Sequence, residues 1–149
     1  MTPIQPVLEY AEATRKGFKE KANHNKDESL WSFTAILIAS LVAPLFITLG
    51  TNEFVGKIIP SILSVIAAGL TSWLQLRKPQ KLWAMYRSAQ RNIEDQIVKF
   101  TYTIGEYKQA ESPESLLAEK VAEIALNAHN EWTSVIPSPE NLGTKEQSE

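Results

Sequence analysis

The chain has 149 residues, of which 44% are hydrophobic and 21% are charged, and its formal net charge is −2. These averages are those of a soluble protein, but they conceal how the hydrophobic residues are arranged along the chain. The sequence contains no cysteine, which excludes disulfide bonds and thiolate metal sites.

Two long stretches depart from that average, residues 31–50 (WSFTAILIASLVAPLFITLG) and 58–76 (IIPSILSVIAAGLTSWLQL), and neither contains a charged residue. A helix needs about 20 apolar residues to cross a hydrocarbon core of about 30 Å. We therefore predict two transmembrane helices, the first of them retained because no cleavage site follows it. The alternative is a buried hairpin in a soluble bundle, but the other predicted helices look too polar to cover both stretches.

Only residues 51–57 connect the two predicted spans, so the spans should form an antiparallel hairpin. Ten lysines and arginines flank the ends of the spans away from the connection, five before the first span and five between the second span and Glu94. The connection itself holds only Lys57. By the positive-inside rule, both termini are cytoplasmic in a multi-pass protein of the cell membrane.

Residues after the second span are predicted to form two cytoplasmic helices. Apolar residues at spacings of three and four over residues 80–107 indicate a long amphipathic helix. Ser112-Pro113-Glu114 then combines a serine N-cap, a proline at the first helical position and an acid in the first turn. This signal predicts a further helix over residues 113–134.

A weaker helical pattern covers about residues 5–22. We predict that a polar break follows it, with Asp27 or Ser29 capping the first span. Residues 1–136 thus form one all-α membrane domain, which we expect to assemble as a homo-oligomeric helical bundle. The polar tail, residues 137–149, is predicted to be disordered.

The second span carries a narrow polar stripe of five residues at spacings of three and four: Ser61, Ser64, Ala68, Thr71 and Gln75. Two spans cannot enclose a water path, so a channel would need one such helix from each subunit around an axis. Hydroxyl groups in that position suit a pore lining. Helix packing is the alternative, because small and hydroxylated residues are also common where membrane helices touch. In a closed state, larger residues of the same helix would form a hydrophobic gate: Leu63, Ile66 and Leu70.

The first span has a stripe of small residues at a spacing of four: Ala35, Ala39 and Ala43. We predict that this stripe packs against the second span.

Charged and aromatic residues mark both ends of the hairpin. Glu53 is the only acid in the connection, and in an oligomer it would form a carboxylate ring at the outer mouth. The alternative is an ordinary solvated loop residue. At the other end the chain becomes basic, breaks at Pro79 and continues as WxxYR. We assign these residues to the membrane interface and to assembly: Arg77, Lys78, Lys81, Trp83, Tyr86 and Arg87.

Within that group, Arg87 is predicted to form an ion pair with an acid on a neighbouring helix or subunit. Interfacial anchoring alone is the alternative for the WxxYR motif.

Signals for an enzyme are poor. His24 and His129 have no metal-ligand companion at helical spacing, and the glycines form no phosphate-binding pattern. The spans contain no ionisable residue, which argues against a membrane-bound enzyme or a proton-coupled transporter. The basic residues between 77 and 91 are better explained by anionic lipids than by nucleic acid. We therefore expect no catalytic residue, no metal, no cofactor and no nucleic acid.

The layout resembles the bacterial SLATT family of small two-transmembrane domains and related two-span proteins. The matching residues are Trp83, Tyr86, Arg87, Ala89 and the stretch Glu94–Tyr107. The resemblance implies a pore-forming membrane effector of the bacterial inner membrane. Family members are often encoded beside nucleotide-sensing proteins, so we expect either a separate sensor protein or a trigger that acts directly on the helices.

Two functions therefore stay open at this point. The first is a homo-oligomeric ion channel, in which the second span lines the pore and the cytoplasmic helices assemble and gate it. The second is a membrane-anchored structural or adaptor protein that docks a cytoplasmic partner or shapes the membrane without conducting. Both have the same expected contacts, namely further copies of the chain, anionic lipids and a separate regulatory protein.

Overall fold

The structure is a computed structural model, and it describes residues 4–135. The described residues form four α-helices: α1 (Ile4–Leu49), α2 (Ile59–Arg77), α3 (Pro79–Thr101) and α4 (Pro113–Val135). Two short helical turns lie between them, a π-helical turn at Phe54–Ile58 and a 3-10 turn at Gly105–Lys108. Residues 4–135 contain no strand, which confirms the predicted all-helical class over that range. The predicted disorder of residues 137–149 lies outside the described residues.

The described chain divides into two compact units. The bundle unit comprises residues 4–25 and 81–135, and the hairpin unit comprises residues 26–80. Helix α1 contributes residues to both units, α2 belongs to the hairpin unit, and nearly all of α3 and the whole of α4 belong to the bundle unit.

The predicted break between the first helix and the first span was wrong, because α1 is continuous across it. The polar residues of this segment are helical and in part buried, since Asn25 is 6% and Ser29 is 4% exposed. The Asn25 side-chain N–H donates to the backbone carbonyl of Lys21 at 2.8 Å, whereas its buried Oδ1 has no partner among the described residues. Polar residues disfavour a helix by less than about 0.7 kcal/mol each, a cost that packing can offset.

In the bundle unit, α1, α3 and α4 enclose a small core of buried residues: Ala11, Ile93, Tyr107, Leu117 and Val121. A second cluster joins Leu82 and Met85 of α3 to Val135 at the end of α4. Leu82 and Ile93 belong to the apolar stripe from which α3 was predicted, whereas Met85 was not part of it. The stripe is therefore the packing face of α3.

Helix α3 ends six residues before the predicted end at 107. Thr103 and Gly105 adopt left-handed backbone conformations, with φ of 52° and 63°, which break the helical path. The following turn returns Tyr107 to the core, where its hydroxyl donates to Gln96 Oε1 at 2.8 Å and its ring meets Phe100 edge-on. The apolar spacing continues through residue 107 because this tyrosine is buried by a turn rather than by a helix.

The two apolar stretches lie within α1 and α2 of the hairpin unit. Each passes the length and hydropathy requirement for crossing a membrane, with a mean hydropathy of 2.2 and 1.8 over its most apolar window. Only 11% and 6% of those windows are buried. Because a soluble core helix would be mostly buried, this exposure argues against the soluble-bundle alternative.

A tight turn joins the spans. Asn52 stabilises its start, because its side-chain oxygen accepts from the backbone N–H of Val55 at 2.9 Å. Gly50 and Gly56 bring their backbones together within this turn, and a Cβ atom at Gly50 would lie 2.5 Å from the Gly56 Cα. Gly50 is therefore required by the close approach of the two chain segments.

An ion-pair clasp closes the other end of the hairpin. Glu28 Oε1 of α1 accepts a hydrogen bond from Trp73 Nε1 at 3.0 Å and forms an ion pair with Arg77 Nη1 at 3.2 Å, and both of these partners belong to α2. The guanidinium carbon of Arg77 also lies 5.8 Å from the centre of the Trp73 ring. The Glu28 side chain is only 16% exposed, so the pair is screened less than a surface salt bridge.

We expect the G50A substitution to destabilise the hairpin by about 1–3 kcal/mol, because the added methyl group collides with backbone that cannot move independently. G56A is the matched control, since its added Cβ would meet only ordinary contacts of 3.7 Å or more. Unfolding of both variants in detergent micelles, followed by far-UV circular dichroism, measures the difference. Equal stability of G50A and G56A would contradict the close approach.

We expect the effects of E28A and W73F on unfolding to be non-additive by about 1 kcal/mol, because the two side chains share a hydrogen bond. The measurement is a double-mutant cycle in detergent micelles. The W31F substitution is the control partner, since Trp31 is 69% exposed one turn beyond Glu28. Its cycle with E28A should be additive within about 0.5 kcal/mol. Additivity in the Trp73 cycle would show that the clasp does not form.

Candidate pore stripe and hairpin base

The five residues of the polar stripe all lie on the exposed surface of the hairpin unit: Ser61, Ser64, Ala68, Thr71 and Gln75. The half-buried face of α2 consists of other residues, Leu63, Ala67, Leu70 and Leu74. At about 100° per residue, the centres of the two faces are separated by about 100° around the helix. Packing within the hairpin therefore leaves the stripe uncovered.

The hydroxyl groups of the stripe are satisfied by their own helix. Ser61, Ser64 and Thr71 each donate to the carbonyl four residues earlier, at 2.7–2.8 Å. The donors are thus occupied, while the hydroxyl oxygens retain acceptor capacity on the outer side. Such a surface can contact water and cations, and it can equally pack against another helix.

The residues predicted to form a hydrophobic gate do not share one environment. Leu63 and Leu70 are half-buried on the face of α2 that packs in the hairpin, whereas Ile66 is 49% exposed. In this hairpin the two leucines are therefore separated from the polar stripe around the helix. On α1, the complementary small residues are well covered, since Ala39 is 6% and Ala43 is 8% exposed.

Glu53 lies in the turn at the opposite end of the hairpin from the clasp. Its carboxylate pairs with the ammonium group of Lys57 at 2.8 Å, and the two side chains are 85% and 74% exposed. Each acid of a carboxylate ring would therefore carry a compensating lysine one helical turn away, which weakens the attraction of such a ring for cations.

The joint between α2 and α3 is a single residue, Lys78, which lies between Arg77 and Pro79. Lys78 has φ and ψ of 49°, and its N–H donates to the Leu74 carbonyl at 2.9 Å. A left-handed residue is a common helix terminator, and the following proline disfavours the right-handed helical conformation at Lys78. Lys78 is exposed, and so is Lys81 in the first turn of α3.

The WxxYR residues belong to the bundle unit and make their contacts within it. The Tyr86 ring lies 6.1 Å from the Phe18 ring, and burial raises the pKa of its phenol. Arg87 donates to Gln90 Oε1 at 2.8 Å and to Asn23 Oδ1 at 3.3 Å. Trp83 Nε1 is buried, and no partner for it lies among the described residues.

These contacts refine the prediction for Arg87. Its recorded partners within residues 4–135 are amides rather than an acid of a neighbouring helix. An ion pair with a neighbouring subunit stays a prediction.

Glu28 was missed by the sequence reasoning, although it belongs to the clasp at the hairpin base. A usable signal exists in the sequence. An acid directly before the first span and an arginine directly after the second lie at the same end of an antiparallel hairpin, so their charges can pair.

The comparison with known protein families gives a match over most of the chain. The family model described as SMODS and SLOG-associating 2TM effector domain 1 matches residues 11–132. No curated protein and no solved structure matches the chain. The matched residues include both apolar helices, so the chain is a membrane protein with two transmembrane helices and a helical bundle. It belongs to the SLATT family of two-transmembrane effector domains.

Proposed function

We propose that this protein is a non-enzymatic membrane effector that assembles as a homo-oligomeric ion channel. Helix α2 of each subunit lines the pore through its polar stripe, and both termini are cytoplasmic. The observation that carries the proposal is the exposure of the whole stripe, because packing within the hairpin uses a different face of α2. The family supports an effector role in a membrane.

The bundle unit assembles and gates the channel in this proposal. Helices α2 and α3 are separated only by Lys78, so a displacement at the start of α3 is carried to the end of the pore helix. The clasp of Glu28, Trp73 and Arg77 fixes that end of α2 to α1. A trigger that loosens the clasp would free the pore helix to rotate or tilt.

The expected partners are further copies of the chain, anionic lipids and a separate regulatory protein. Arg77, Lys78 and Lys81 support the lipid contact, because each basic residue near an anionic leaflet contributes about 1 kcal/mol. The strong bias of basic residues to one end of the hairpin supports cytoplasmic termini.

A second candidate function is an adaptor that binds a cytoplasmic partner without conducting. The observation that favours it is an exposed apolar patch near the end of α3, where Val98 is 45%, Tyr102 is 73% and Ile104 is 48% exposed. An adaptor would form oligomers that carry no current in planar bilayers. It would also lose its partner in pull-down assays when Tyr102 is replaced by serine.

The channel proposal predicts that single cysteines introduced at Ser64, Ala68 or Thr71 react with a hydrophilic thiol reagent and that the reaction reduces the current. The chain contains no other cysteine to react. The matched control is I62C, because Ile62 is 53% exposed on the side of α2 away from the stripe and should face lipid. Planar-bilayer recording before and after labelling is the measurement. Unreactive stripe cysteines, or equal reactivity at position 62, would contradict the assignment.

The pairing of Glu53 with Lys57 predicts opposite effects of neutralising the two residues. K57Q leaves the carboxylate uncompensated, so the permeability ratio of cation to anion should rise roughly twofold, whereas E53Q should lower it. Reversal potentials in a salt gradient measure this ratio. Because screening is stronger at high salt, both effects should shrink when the ionic strength is raised. Unchanged reversal potentials in both variants would place Glu53 away from the channel mouth.

A further inference from the structure

An apolar groove of about 370 Å³ lies along one side of the hairpin unit, between the two spans. Its lining includes residues of α1 and of α2: Trp31, Ala35, Ile38, Val42, Leu63 and Ile66. Around α2, the half-buried face lies between the polar stripe on one side and the groove on the other. The proposed pore therefore does not use the groove.

The length of the groove corresponds to one leaflet of a bilayer. Trp31 and Val42 are eleven residues apart on α1, which is about 16 Å along a helix. Half of a hydrocarbon core of about 30 Å is about 15 Å. The groove thus extends from near the middle of the membrane to the end of the hairpin that carries the clasp.

A cationic group lies in line with the groove at this end. Ile66 and Arg77 are eleven residues apart on α2, which is close to three full turns, so both lie on the same face of the helix. The Arg77 side chain is 41% exposed, and its recorded ion pair uses Nη1. A guanidinium has five N–H donors in a planar fork, which leaves capacity for a phosphate group.

Each span has a tryptophan toward this end of the hairpin: Trp31 lines the groove, and Trp73 lies one turn before Arg77 on α2. Trp31 is 69% exposed and Trp73 is 48% exposed, and the Trp73 ring stacks near the Arg77 guanidinium. Exposed tryptophans next to a cationic group are typical of the level at which lipid headgroups meet the hydrocarbon. From the middle of the membrane toward the clasp end, the hairpin therefore presents an apolar groove suited to an acyl chain and then an arginine suited to a phosphate. The tryptophans mark the interface between these two levels.

We propose that this groove binds one acyl chain of an anionic phospholipid and that Arg77 binds the phosphate of the same molecule. A lipid is favoured over a helix from a second copy because the groove has the length of one leaflet and ends at an exposed cation. The proposal narrows the expected contact with anionic lipids to one lipid site. It depends on membrane insertion but not on conduction, so the absence of current would leave it unaffected.

Native mass spectrometry of the full-length protein, extracted in detergent and supplied with phosphatidylglycerol, tests the acyl-chain site. The A35F and T34F substitutions fill the groove and should reduce the retained lipid at least several-fold. The matched control is S40F, because Ser40 is exposed on another side of α1 and does not line the groove. Far-UV circular dichroism checks that each variant is folded, and T34F tests the groove if A35F is not. Wild-type retention in a folded groove variant would overturn the proposal.

The phosphate contact is tested by comparing phosphatidylglycerol with phosphatidylcholine. The R77Q variant should lose the preference for the anionic lipid, whereas E28Q should keep it because Arg77 remains. An equal loss in E28Q would mean that Arg77 acts only through the clasp, and would overturn the phosphate contact.

Cysteine cross-linking tests whether a helix from a second copy occupies the groove instead of a lipid. Efficient cross-links between copies carrying I38C would show that a second subunit fills the groove and would overturn the lipid proposal.

Discussion

The hydrocarbon core of a membrane contains no water, and every backbone N–H and carbonyl group that crosses it needs a partner within the protein. The two spans meet most of this requirement as continuous helices, with an exception at Pro44 of α1, which has no N–H to donate. In α2, the hydroxyls of Ser61, Ser64 and Thr71 donate to carbonyls of the same helix. The ion pairs of this hairpin lie at its two ends, Glu53 with Lys57 at the connection and Glu28 with Arg77 at the clasp.

The ends of the hairpin are closed by different chemistry. At the connection between the spans, Gly50 allows two backbones to approach within the reach of a single methyl group. At the other end, the Glu28 carboxylate joins the spans through an ion pair with Arg77 and a hydrogen bond that it accepts from the Trp73 indole. The backbone approach at Gly50 is steric and does not depend on charge, whereas the ion pair between Glu28 and Arg77 can be broken by a competing charge. This difference makes the clasp end the more suitable place for regulation.

Helix α2 of the hairpin unit presents three surfaces at different positions around its axis. The half-buried leucine face packs in the hairpin, the polar stripe lies to one side of that face, and the apolar groove lies to the other. An oligomer can place the stripe at its axis while the groove faces lipid. In the proposed channel, α2 would then serve hairpin packing, conduction and lipid binding with sets of residues that overlap at one position. Leu63 belongs to two of these surfaces, because it is half-buried and also lines the groove.

The sequence by itself determined the number of spans, the short connection and the amphipathic helices, because those features follow from local hydrophobic pattern and turn chemistry. It also identified the polar stripe, whose spacing is fixed by the helical repeat. The layout of the helices, together with Trp83, Tyr86, Arg87, Ala89 and the stretch Glu94–Tyr107, indicated the SLATT family, which the family comparison confirmed.

Only the tertiary structure decided how those elements are used. Polar residues between 22 and 30 are typical of a helix break, yet packing keeps Asn25 and Ser29 helical and buried. The apolar spacing through Tyr107 is typical of a helix, yet left-handed residues end α3 earlier and a turn buries the ring. The clasp joins residues 28 and 77, and the groove lies between two helices. Contacts of this kind depend on which faces meet, and a one-dimensional pattern does not specify the rotation of one helix against another.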